Sequence, residues 1–133
     1  MSETAFTGTA MRDRLSRERN AWLCTVRQDG SPHVTPVRFV FLRGRWWIGA
    51  DSGSVKVRNA ERRPRVSLAL EDGRHPVVAE GDAVVHRGRF PEEVTAAFAV
   101  KYGWDVAAAH RPGAERVLIE VSVRRWLLSG VAQ

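Results

Sequence analysis

Between Ala21 and Ala50 the chain alternates apolar and polar residues on a period of two and breaks that pattern at glycines. His33 to Leu42 (HVTPVRFVFL) places Val37, Phe39 and Phe41 on one face and Arg38, Val40 and Leu42 on the other, the signature of a strand. Ala21 to Arg27 precedes it across Asp29-Gly30, and Arg45 to Ala50 follows it across Arg43-Gly44, so hairpin signals lie on each side. A meander of three antiparallel strands is expected, with Trp46 and Trp47 on opposite faces of the third.

The remainder continues in the same style. Val66, Leu68 and Leu70 mark a fourth strand, and Pro76 to His86 a fifth. Gly81, in the middle of that fifth run, predicts a bulge or a close approach by another backbone. Arg116 to Leu128 supplies a final strand or two. Three short helices interrupt the strands. Residues 9–20 form the first, with Thr9 as its cap, and Val55 to Arg62 the second, stopped by Pro64. The third opens at Pro91, Glu92 and Glu93 and aligns Val94, Ala97, Phe98 and Lys101 on one stripe. Residues 104–115 read as a loop. Six or so strands with helices only as inserts predict a mainly β, six-stranded antiparallel, Greek-key-like barrel, one domain over residues 1–133.

Composition narrows the class further. A lone cysteine, Cys24, excludes an internal disulfide or a multi-cysteine metal centre, and is expected to be an inert core thiol. His33, His75, His86 and His110 have no metal-ligand spacing, so no metal site is expected. No apolar run reaches the ~18 residues of a membrane helix, and Met1 to Ala10 lacks the order of a secretory signal. A cytoplasmic domain is the expectation. The net charge is +6 and concentrated. Residues 12–19 hold four arginines against two carboxylates, and residues 56–65 hold five cations against one. Such concentration favours a local anionic partner.

Residues 51–64 (DSGSVKVRNAERRP) violate a local preference. With Ser52 or Ser54 as cap, Lys56 and Arg58 fall near the first helical turn, where cations oppose the positive end of the helix dipole at roughly 0.3–1 kcal/mol each. An anion there removes the penalty. Free backbone N–H groups, a serine hydroxyl, an ammonium and the Asn59 carboxamide make a phosphate site, and Gly53 lets the backbone come close. The competing reading is a solvated basic turn. Pro36 is the second irregularity: inside a strand it removes a ladder hydrogen bond, which suits an edge, a bulge or a ligand-facing backbone.

The blocks WLCTVRQDGSPHVTPV (22–37), IGADSGSVKVRNAERRPRVSL (48–68) and VVAEGDAVV (77–85), in that order, resemble the pyridoxamine 5′-phosphate oxidase-like flavin- and deazaflavin-binding proteins. The similarity is greatest to their small actinobacterial branch, which uses coenzyme F420. The resemblance spans roughly residues 15–128 and implies a split β-barrel homodimer with two cofactors at the subunit interface. It implies a cofactor phosphate on Ser54, Val55, Lys56, Arg58 and Asn59. It also places a tricyclic ring against His33, Val34, Thr35, Pro36 and Val37 and against Ile48, Gly49, Ala50 and Asp51, with Ala79 to Gly81 near the interface. Two departures stand out: many relatives carry tryptophan or tyrosine where Arg38 stands, and the C-terminal motifs for a pyridoxamine phosphate substrate are absent.

The function expected from these residues is an F420-dependent oxidoreductase that delivers hydride to a small conjugated or polycyclic acceptor. The hydride chemistry is the cofactor's. No catalytic residue is assigned; solvent, Arg38 or His33 would supply a proton. Trp126 is a candidate to close the partner's site. Flavin mononucleotide (FMN) is the alternative cofactor, and a deazaflavin's several negative charges suit the basic segment better. A carrier without turnover, and a single-stranded nucleic-acid binder suited to a sequence pI near 10.9, are the other readings.

Overall fold

The computed structural model describes residues 8–130 and residue 132. Helix α1 (Thr9–Arg17) leads into strands β1 (Ala21–Val26), β2 (Pro32–Val37), β3 (Val40–Leu42) and β4 (Arg45–Asp51). Helix α2 (Val55–Arg62) precedes β5 (Arg65–Leu70) and β6 (Val78–His86), and helix α3 (Glu92–Tyr102) precedes β7 (Arg116–Leu127). All seven strands join one antiparallel sheet in the order β2-β1-β5-β6-β7-β4-β3. Its two edge strands are consecutive in the chain, separated only by Arg38 and Phe39, so the sheet must curl until its edges approach. The fold is a mainly β split barrel, with seven strands where six were expected.

The extra strand comes from a break. The run from His33 to Leu42 is two strands, and the expected meander does not form: β2 pairs with β1, whereas β3 pairs with β4 at the opposite end of the sheet. Helix α3 supplies what a neighbouring strand would have supplied at the break. The Phe39 N–H donates to the Tyr102 hydroxyl at 2.9 Å, and its carbonyl accepts from Lys101 Nζ at 3.0 Å. The Tyr102 hydroxyl donates to the carbonyl of Phe39 (2.7 Å) or of Arg19 (2.8 Å). Buried backbone groups need such partners. The alternation survives the break: Val37, Phe39 and Phe41 all pack in or against the barrel interior, and Val40 and Leu42 against the outer layer.

The interior is built on Leu23, Phe39, Trp46, Ile48, Leu68 and Ile119, and is closed by Met11 and Leu15 of α1 and by Val57 and Ala60 of α2. Thr9 lies within the first turn of α1 and Gly8 takes the cap position, without a side-chain bond. On the outside, Val94 and Phe98 of α3 cover Val40, Trp47 and Leu118. Trp46 and Trp47 therefore do face opposite ways, and each is buried. Fully burying residues of this size contributes about 1.5–3 kcal/mol apiece, which anchors α3 to the sheet.

Gly81 sits at the expected bulge. Glu80 pairs with Arg125 but Gly81 with Val123, leaving Arg124 as the extra residue. A Cβ on Gly81 would collide with the Ser122 carbonyl. The bulge reverses the parity of β7, so Val121 and Val123 pack inward before it and Trp126 and Leu128 after it. Trp126 lies 5.9 Å from the Phe41 ring and 6.1 Å from the Trp46 ring. It packs half-buried against its own barrel interior. Cys24 departs from expectation. Strand β1 turns Leu23 and Thr25 inward and leaves Trp22 and Cys24 outside, so the thiol is half-buried and not a core residue.

Candidate functional site

Strand β2 ends, strand β4 ends and helix α2 begins around a cavity of about 640 Å³. Pro36, Val37, Arg38, Gly49, Lys56 and Arg116 form one part of its wall, and Trp104, Asp105, Ala108, Ala109 and His110 of the loop after α3 complete it. A volume in the range of roughly 300–1,000 Å³ suits a small molecule or cofactor.

Arg116 is the buried centre of this wall. Its side chain is only 6% exposed and donates from Nη1 to Asp51 Oδ1 at 3.0 Å and from Nε to the Val106 carbonyl at 3.2 Å. The bond from Arg116 holds the Asp51 carboxyl below its ordinary pKa. Gly49 makes room for this arrangement, since a Cβ there would run into the Val106 side chain and approach Arg116 Nη2 at 2.9 Å.

Lys56 stands beside that centre at the start of α2. Burial lowers its pKa, the Arg116 charge lowers it further, and Asp51 opposes both. The ammonium is thus a half-buried cation that the fold compensates incompletely. The Ser54 hydroxyl, at the cap position, turns back to the Asp51 carbonyl at 2.8 Å and makes no bond to the helix N–H groups. The N-terminus of α2 has no side-chain cap, and Lys56 of its first turn lines the cavity, a combination suited to an anion. The donor set fits a phosphate.

Of the residues named from the sequence, Pro36, Val37, Gly49 and Lys56 line the cavity. His33 and Thr35 alternate toward the barrel side of β2, whereas Val34 faces out and is exposed. Ile48 and Ala50 are buried in the core. Asn59 is buried as well, and its Nδ2 donates to Thr25 Oγ1 at 3.0 Å, tying α2 to β1. Val55, Arg58, Asn59 and Arg62 border a second, shallower depression of about 480 Å³ with Arg27, Gln28 and Asp29. Helix α2 therefore presents Lys56 to one hollow and Arg58 and Arg62 to another. Two of the cations near the N-terminus are used internally: Arg14 pairs with Glu18 at 2.6 Å and Arg17 with Asp13 at 2.7 Å.

Arg116 was not singled out from the sequence. It becomes a site residue through the pairing of β4 with β7, which sets Asp51 opposite Arg116, and no local pattern announces that register. The loop 104–115 contributes the remaining wall. Arg38 lies at the break after β2, exposed, with its guanidinium carbon 5.6 Å from the Tyr102 ring centroid and 6.0 Å from that of Trp104.

The profile of the family described as pyridoxamine 5′-phosphate oxidase matches residues 7–130. The chain is 33% identical over 120 residues, 85% of its own length and 81% of the relative's, to an F420H2-dependent biliverdin reductase of Mycobacterium tuberculosis. Among solved structures, an F420 reductase is 22% identical, with a TM-score of 0.68 over 87% of this chain and 94% of the other. A heme storage protein from Vibrio cholerae is 18% identical, with a TM-score of 0.77 over 92% of this chain and 94% of its own. These two structural likenesses establish the fold; the fold alone does not choose between ligands.

Proposed function

Because the chain belongs to the pyridoxamine 5′-phosphate oxidase family, we propose that it is an F420-dependent reductase whose cavity seats the deazaflavin coenzyme. Lys56 is the observation that carries this reading: a half-buried ammonium, crowded by Arg116, at an N-terminal helical turn that no side chain caps. A coenzyme phosphate there would restore the ammonium's preference for its charged form and accept the open N–H groups. The ring would lie along the backbone of Pro36 and Val37 against the space left by Gly49.

The choice of F420 over FMN rests on charge. A deazaflavin carries a phosphodiester and a polyglutamate tail, and Arg27, Arg58 and Arg62 form a cationic depression on the far side of the same helix. Arg58 and Arg62 make no ion pair among the described residues, and FMN would leave them unused. The reductase of M. tuberculosis named above is F420H2-dependent, which supports the same choice. When bound in its reduced form, the coenzyme supplies a hydride, and the acceptor takes that hydride at an electron-poor conjugated carbon together with one proton. The protein's part is to bind, orient and exclude water. A homodimer with the coenzyme at its interface belongs to this reading.

Fluorescence titration of the purified protein with F420 and, separately, with FMN tests it. Uptake of F420 at least about tenfold tighter than FMN, followed by oxidation of bound F420H2 when a conjugated acceptor is added, is the expected result. Uptake of FMN alone would move the chain to the flavin branch. Bound F420H2 that no acceptor oxidises would leave a carrier.

A further inference from the structure

The cavity contains a second cationic pole that the coenzyme phosphate does not need. Lys56 answers to the charges of Arg116 and Asp51, whereas Arg38 is held on another element, against the rings of Tyr102 and Trp104. Arg38 lines the same cavity and makes no side-chain hydrogen bond or ion pair among the described residues. Asp105 is the only carboxylate among the described lining residues, and its Oδ1 already accepts the Ala107 N–H at 2.9 Å.

A guanidinium stacked on aromatic rings is restrained by its face but keeps its N–H edges free. Those edges match the two oxygens of a carboxylate. Resting on the functional reading above, we propose that Arg38 is a specificity-determining residue that receives a carboxylate of the acceptor, so that the substrate class is conjugated molecules bearing an anionic side group. A neutral acceptor would not supply that pairing, and the protein would bind it less tightly than an anionic one.

The experiment compares biliverdin, a conjugated tetrapyrrole with two propionates, with its dimethyl ester. Calorimetric titration of the coenzyme-free protein is expected to give at least about tenfold tighter binding of the diacid. In Arg38→Gln that preference falls to near unity, and Arg38→Lys restores part of it. Equal binding of diacid and diester by the unmodified protein, or binding of neither, overturns the proposal without touching the coenzyme. Loss of F420 affinity in Arg38→Gln also overturns it, by assigning Arg38 to the coenzyme's own seat. If the unmodified protein takes up no F420, the functional reading fails, and the diacid-to-diester comparison still decides the role of Arg38.

Discussion

Lys56 carries a charge that folding disfavours, because its pKa in the folded chain lies below the unfolded value. At neutral pH the ammonium is charged in each state, so the lowered pKa is a cost borne by the folded protein. Lys56→Met is therefore expected to leave unfolding by urea unchanged or slightly harder while weakening F420 binding by about tenfold or more. A variant that unfolds more easily and binds normally would make Lys56 structural. Gly81 illustrates the opposite kind of residue. Its Cβ-free α-carbon lets β6 approach the Ser122 carbonyl, so Gly81→Ala should destabilise by about 1–3 kcal/mol in the same urea assay. Gly81 was legible from the sequence because a glycine inside an apolar run has few other reasons to be there. Asn59 shows where residue-level reading stops. Its position after Lys56 suggested a phosphate ligand, but its use by Thr25 follows from packing α2 on β1, which no local spacing reveals.

At the scale of elements, the junction between β2 and β3 depends on two consecutive side chains of α3. Removing the Tyr102 hydroxyl leaves the Phe39 N–H without its partner, and Tyr102→Phe is expected to cost about 1–3 kcal/mol by thermal or urea unfolding. Lys101 adds a pH signature. Burial, with a smaller contribution from Arg19, lowers its pKa from 10.5 to about 8. Between those values the unfolded chain holds a proton that the folded chain has released, so raising the pH favours the folded state across that window. The stability of the unmodified protein relative to Lys101→Met should rise between pH 7.5 and 9.5, read as the difference in urea midpoints. A flat difference would mean that Lys101 titrates normally. Tyr102, whose pKa burial raises, acts in the reverse direction only above its unfolded pKa near 10, outside this range. The junction was invisible in the sequence because alternation continues unbroken through Arg38 and Phe39. The pattern records which face each side chain takes, and it is silent on which neighbour each strand pairs with. Helix boundaries fared better: Pro64 lies just beyond α2, and Pro91 is the cap residue of α3, since backbone constraints act locally.

The whole molecule covers its sheet unevenly. Helix α3 shields the outer face of β3, β4 and the start of β7, but the outer face of β2 and β1 and the end of β7 carries Trp22, Val34 and Leu127 at 45%, 56% and 38% exposure. These strands are joined through β5 and β6, so the three residues lie on the outer face of one curved sheet. A second copy of the chain is the occupant consistent with the homodimer proposed above. Sedimentation velocity is expected to give a particle of about twice 14.9 kDa, and Trp22→Glu, which places a charge on that face, should convert it to a folded monomer. Pro36 pairs directly with Trp22 across β1 and β2 and also lines the cavity, so the proposed interface and the site share a strand. The monomeric variant should consequently bind F420 at least about tenfold more weakly. Full affinity in that monomer would place the coenzyme within one protomer and separate dimer formation from function.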